Sequence, residues 1–221
     1  KEILEITTKN NLKTIEDASQ SLGSKLNGKH SGTFSHLGCF SLYAAKVMTS
    51  GEGGVIITND KKLFEKLKQI RNHGMSKNRL TTTFGLNLRL PEINAAIAKV
   101  QMKKLPGLLG ERKKKAQILT ELLKNCDIVL PKQRKGETLN WYLYTIALKN
   151  RNNIMKKLNS SGIGATVYYS PPIHKTPYYK TKTNLPNTEW AACHVLSLPI
   201  HPKVSKSDMI RMKKIFSNNR K

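Results

Sequence analysis

The chain has 221 residues, 38% hydrophobic and 6% aromatic, a length and composition that can bury a substantial core in one domain or one and a half. Lysine and arginine number 39 against 14 acids, a formal net charge of +25, so an anionic partner is favoured over a cationic one. No apolar run approaches the roughly 18 residues of a membrane-spanning helix, and the opening KEILEITTKNN reads as a polar helix, not a signal peptide. Cys39, Cys126 and Cys193 form no CxxC pair, which points to reduced structural thiols in a cytosolic protein.

In chain order, residues 2–10 read as a helix and 12–16 as a buried parallel strand that ends in Glu16-Asp17. Strands are expected at 38–43 and 53–58, on either side of a loop that holds Lys46 and the turn Ser50-Gly51-Glu52-Gly53-Gly54. Residues 60–72 form an amphipathic helix with Leu63, Leu67 and Ile70 on one face and Asn59 or Asp60 as its cap. Pro91 opens a helix that runs to Leu105, Pro106-Gly107 interrupts it, and a second helix follows over 109–124. Beyond Asn125 come apolar runs at 127–130 and 141–148, a helix at 151–160, a strand at 165–169, and helices at 187–194 and 205–216. That order suggests a compact α+β unit, with a domain boundary in the 106–125 region.

Two residues stand out for chemistry. A lysine at a loop between strands, such as Lys46, can act as an amine nucleophile toward a carbonyl. Asp17, past the end of a strand, sits where open α/β sheets bind ligands. Taken singly, Lys46 reads first as a solvated surface lysine and Asp17 as a turn cap. The charge has two readings as well. Lys61, Lys62, Lys66, Lys68, Lys99, Lys103, Lys104, Lys113 to Lys115, Lys213 and Lys214 interleave with apolar residues at helical spacing. That is the pattern of solvated helix faces; the alternative is a basic nucleic-acid-binding module, for which there is no zinc-finger, helix-turn-helix or aromatic stacking pattern.

Together the motifs carry a resemblance. IEDASQSLG, then GCFSLYAAKVMTSGEGG and ITND, is similar to the EDAAQAxG and CFSFYPTKNLTTGEGGxxxTND wording of the DegT/DnrJ/EryC1/StrS aminotransferases. Ile70 to Gly74 resembles LRxHG, Gly85 to Leu90 resembles GxNYRM, and EINAAIAKVQMKKL resembles ELQAAIGLVQLKKL. GIGATVYYSPPIHKTPYY and LSLPIHP resemble the family's closing motifs, so the likeness runs from residue 1 to about 215.

The resemblance implies an α/β fold of the fold-type I, aspartate aminotransferase-like class. Residues 1–108 would be the C-terminal part of the large cofactor domain, and 109–221 a linker helix with the small C-terminal α+β domain. The implied reaction moves an amino group, from glutamate, to a nucleotide-linked keto sugar in polysaccharide or glycan synthesis, with pyridoxal 5'-phosphate as cofactor and no metal. A positive field would attract both the sugar's diphosphate and the cofactor phosphate. The resemblance makes Lys46 the catalytic lysine that holds the cofactor covalently and then shuttles a proton. It makes Asp17 the acid on the ring nitrogen, Gln20 a contact to the ring hydroxyl, Ser41 a phosphate contact, and Asn87 a phosphate contact reached across a homodimer interface. His174 matches a common family histidine and reads equally as a structural loop histidine.

Departures are Ser19 for Ala, Ala45 for Thr, Val47 for Asn, Leu88 for Tyr and Tyr168 for His. One family branch replaces the lysine with histidine and is a dehydratase; Lys46 places this chain with the aminotransferases. Full members carry an upstream region before the position of Lys1, so a fragment, a complementing N-terminal half or a non-catalytic remnant all stand as readings.

Overall fold

The structure, a computed structural model, describes residues 2–179 and 181–217. The chain divides into two units, Lys1–Leu109 with Arg134–Asn140, and Gly110–Gln133 with Trp141–Lys221. No helix among the described residues is long and apolar enough to cross a membrane.

In the first unit, α1 (Glu2–Lys9) precedes β1 (Ile15–Asp17), and a sheet forms in the order β1, β4 (Leu37–Ser41), β5 (Gly54–Ile57). β1 runs parallel to β4, with Asp17 opposite Cys39, and β4 runs antiparallel to β5. The expected parallel strand is therefore present but not buried: as an edge strand paired on one side only, β1 leaves Ile15 68% exposed. A second small sheet joins β2 (Lys25–Leu26) to β3 (Lys29–His30) and to β6 (Glu137–Thr138). α2 (Lys61–Arg71) starts at Asp60, whose carboxylate accepts from the Lys62 and Leu63 amides and so meets two otherwise unpaired helix donors.

α3 (Glu92–Leu123) corrects an expectation. The break at Pro106-Gly107 does not occur, and one helix of 32 residues runs through both. Pro106 lies on the exposed side, where losing the bond to the Met102 carbonyl costs least because water can replace it. The lysines expected on solvated helix faces are exposed, except Lys115, which is half-buried and donates to the Val204 carbonyl at 2.6 Å.

The second unit holds the main core. β7 (Tyr144–Ala147) and β8 (Val195–Leu198) pair antiparallel, with α4 (Arg151–Ser160), α5 (Pro186–His194) and α6 (Lys206–Ser217) beside them in sequence. Ala116, Leu119 and Leu123 of α3 recur at helical spacing and pack with Tyr144, Ile146, Ile154, Leu158, Leu196, Met209 and Met212 in one cluster. Tyr144 places its hydroxyl 2.7 Å from that of Thr120, which satisfies the one polar atom of a fully buried ring. Buried Arg151 donates to the Val195 and Ala192 carbonyls at 3.0 Å each, tying α4 to the junction of α5 and β8.

Two departures come from pairing that short apolar runs do not announce. The strand expected at 165–169 is reduced to a single bridge between Thr166 and Ser197. β8, a four-residue run directly after α5, is a strand for which no element was expected, because so short a run shows no periodicity of its own.

Candidate functional site

The site is built at one end of the β1–β4 pair. Because these strands are parallel, their carboxyl ends lie side by side, and both the turn after Asp17 and the loop after Ser41 leave from that end. Further back along the pair, where Glu16 lies opposite Gly38, the sheet is drawn tight. A Cβ on Gly38 would stand 1.8 Å from the Gly32 carbonyl oxygen, so only glycine lets the 32–34 segment cross β4. Glu16 secures that crossing by accepting from the Gly32 and Phe34 amides at 2.6 and 2.9 Å. Gly38→Ala is expected to destabilise the first unit by about 2 kcal/mol, since backbone and not a flexible side chain must yield; faster hydrogen exchange of β1 and β4 checks it.

The lysine loop closes on itself at its neck. The Leu42 amide donates to Gly53, the Ser50 amide donates back to Leu42, and the Thr49 hydroxyl donates to the same Leu42 carbonyl at 3.0 Å. Leu42, Met48 and Ser50 are buried, and Asn94 of α3 donates to the Ser50 carbonyl at 2.7 Å. Lys46 stands in the turn at the far side of this loop, its amide donating to Tyr43 at 3.0 Å. The neck of the loop is thus held by Leu42, Thr49, Ser50, Gly53 and Asn94.

Asp17 ends β1. Its Oδ1 accepts from the Ser19 amide at 3.0 Å and from the Ser19 hydroxyl. The Ser19 hydroxyl, then the Ser19 amide, hold the Asp17 carboxyl below the usual aspartate range, slight burial opposes this, and the Lys46 charge adds to it. Asp17 in turn acts on Cys39: burial first, and then the Asp17 charge, push the thiol upward, so it is a neutral thiol near pH 7 and not a nucleophile.

Asp17 and Lys46 are therefore within electrostatic reach of one another, and Ser41 stands two residues beyond Asp17's strand partner. Ser41 is half-buried at the end of β4, with its Oγ accepting from the Tyr43 amide at 3.2 Å. Gln20 is exposed, and its backbone is fixed by Asn140, which donates to the Gln20 and Leu22 carbonyls at 2.8 and 3.1 Å. Asn87 is apart from these. Residues 86–88 bond to the last turn of α2, and the exposed Asn87 accepts from Arg89 at 3.1 Å with no bond to Asp17 or Lys46 among the described residues. His174 is buried, 3.1 Å from Glu189, which Lys175 also meets at 3.3 Å; the histidine's hydrogen bond holds the Glu189 carboxyl down. That bond gives His174 a structural task within its own segment.

Ser19 and Glu16 stand in the sequence only as a departure and a strand end, and Asn94 and Asn140 carry no sign there of the part they play. Their bonds to Asp17, Gly32, Ser50 and Gln20 are contacts of pairing and loop closure, and only Ser19, two residues past Asp17, carries a local signal, that of a turn in which a side chain caps its own backbone.

Comparison with known proteins gives consistent results. The model of the DegT/DnrJ/EryC1/StrS aminotransferase family matches residues 1–216. A DegT DnrJ EryC1 StrS aminotransferase from Brucella abortus has a similar structure, with a TM-score of 0.92 and 31% identity over 98% of this chain and 59% of that one. A UDP-N-acetyl-3-dehydro-alpha-D-glucosamine 3-aminotransferase from Acidithiobacillus ferrooxidans is 32% identical over 95% of this chain and 58% of its own length. A dTDP-3-amino-3,4,6-trideoxy-alpha-D-glucose transaminase from Streptomyces venezuelae is 31% identical, covering 94% of this chain and 56% of the relative. The chain spans less than two thirds of the length of each of these proteins. With its α/β fold, its motif order and the match along almost its whole length, the chain belongs to the DegT/DnrJ/EryC1/StrS aminotransferase family.

Proposed function

We propose that this chain supplies the lysine and the ring-facing acid of a pyridoxal-phosphate aminotransferase that passes an amino group, from glutamate, to a nucleotide-linked keto sugar in polysaccharide or glycan biosynthesis. One observation carries the reading: Asp17, kept anionic by Ser19, and Lys46 lie within electrostatic reach at the carboxyl ends of a parallel strand pair. The donor set fits the cofactor, offering a carboxylate to a ring nitrogen, an amine to an aldehyde carbon and a hydroxyl, Ser41, to a phosphate.

When bound, pyridoxal phosphate supplies an electron sink beside the carbon that gains or loses the amino group. Asp17, by remaining charged, would hold a proton on the ring nitrogen. Lys46 Nζ would hold the cofactor through its aldehyde carbon, with water as the leaving group, and would take and return a proton at the substrate carbon. Ser41 would hold the phosphate and Gln20 would meet the ring hydroxyl. Asn87, exposed and apart from Asp17, suits a phosphate contact in a second subunit of a homodimer. On this reading residues 1–108 belong to the cofactor domain and 109–221 to the linker helix and small domain, and the working assembly is a homodimer or includes a complementing N-terminal half. The proposed setting is the cytoplasm, where three unpaired cysteines would stay reduced.

A second reading, a non-catalytic remnant, draws on the first unit's exposed apolar side chains, among them Ile15, Ile56, Phe84 and Ile93. Incubation with pyridoxal phosphate, borohydride reduction and peptide mapping separates the two. Selective modification of the Lys46 peptide, lost when glutamate is added before reduction, supports the aminotransferase. Modification scattered over many lysines, or none, supports the remnant.

A further inference from the structure

The residue two positions beyond Asp17 is Ser19, where the family wording has Ala, and the structure gives it a specific contact. Both its amide and its hydroxyl donate to the same oxygen, Oδ1 of Asp17. Oδ2 accepts no hydrogen bond among the described residues. We propose that Ser19 is a positioning residue: its hydroxyl fixes the Asp17 carboxylate with Oδ1 turned to the protein and Oδ2 free for the cofactor's ring nitrogen. This rests on the reading of Asp17 and Lys46 given above.

First, an alanine would keep the amide bond but lose the hydroxyl bond, so the contact is one that this sequence adds to a turn the backbone already makes. Second, a hydrogen bond donated to a charged acceptor is among the stronger ones, and it favours the ionised carboxylate over the neutral acid. Third, the surroundings offer little else to do this. The groups facing Asp17 are Lys46 from the loop and Cys39 from β4; Lys46 acts least among the influences on the carboxyl, and the Cys39 thiol is neutral near pH 7. A carboxyl held low stays charged as the pH falls, so the Ser19 hydroxyl extends the acidic range over which Asp17 can hold a ring proton. Without it, the carboxylate is lost at a higher pH.

The test uses the full chain and has a readout that needs no turnover. The Asp17 side-chain carbonyl is titrated by NMR in the cofactor-free protein, in parallel with pyridoxal phosphate binding measured between pH 5 and pH 8. In Ser19→Ala, the Asp17 midpoint is expected to move upward toward the ordinary aspartate range and pyridoxal phosphate binding to weaken by about threefold, with the larger loss on the acidic side. Ser19→Thr, which keeps a hydroxyl at this position, is expected to restore both. Unchanged amide spectra outside residues 16–20 would show that each variant folds. An Asp17 midpoint identical in wild type and Ser19→Ala overturns the proposal, even if Lys46 is selectively labelled. A shifted midpoint with unchanged cofactor binding also overturns it, because the hydroxyl then serves the turn alone. A shifted midpoint with no selective labelling of Lys46 in either chain overturns instead the reading on which the proposal rests.

Discussion

Lys46→Ala is expected to abolish reductive trapping of pyridoxal phosphate on the 43–50 loop and to lower the glutamate half-reaction by at least about a thousandfold. The size follows from what is removed. The amine is the only group at that loop position able to attack a carbonyl, and in this reading it also carries the proton between carbons. The neck of the loop is held by buried Leu42, Met48 and Ser50 and by the Asn94 bond to Ser50, and an unchanged circular-dichroism spectrum of each variant is expected to show that it folds. Lys46→Arg separates charge from nucleophilicity. It keeps a cation near Asp17 but offers a guanidinium that stays protonated and cannot attack, so it is expected to fail as fully as alanine. Half-reaction rates followed by cofactor absorbance measure both variants. Retention of more than a tenth of the wild-type rate in either would remove Lys46 from the mechanism.

Leu119→Ala is expected to destabilise the second unit by about 3 kcal/mol. Leu119 is fully buried on the face of α3 that also carries Ala116 and Leu123, within the cluster formed with β7, β8, α4 and α6. Truncation there removes apolar contact and leaves a cavity that four surrounding elements cannot all close. Urea denaturation followed by Trp141 fluorescence gives the measurement, since that ring stacks on Tyr144 with centroids 5.8 Å apart and reports on the same core. Ile93→Ala is the control. That side chain is 77% exposed, and its loss is expected to change stability by less than about 0.5 kcal/mol. Equal effects of the two changes would mean that the core does not lie where the burial places it.

Several elements were legible from residue order because their signals are local. α2 follows from apolar spacing and the Asp60 cap, and α4 and α6 from spacing bounded by polar turns. The strand, glycine turn and strand around Lys46 are present as β4, a closed loop and β5. The helix over 92–123 was misread because proline rules describe the average cost of a lost bond, and at an exposed position such as Pro106 solvent meets most of it. β8 had no counterpart among the expected elements, and the strand expected at 165–169 is a single bridge, because so short a strand is defined by its partner.

The sequence by itself determined the family, the α/β class, the loop that carries Lys46 and the placing of Asp17 at a strand end, since each is written in ordered motifs and short-range spacing. Tertiary structure alone decided that β1 pairs parallel with β4, which brings Asp17 to the end of the sheet from which the Lys46 loop departs. It alone decided that Glu16 holds the 32–34 crossing and that Asn140, 120 residues along the chain, fixes the backbone of Gln20. The reason is physical. Capping, helical spacing and turn chemistry act over three or four residues, whereas strand pairing and the satisfaction of buried polar groups depend on which distant backbone atoms arrive together.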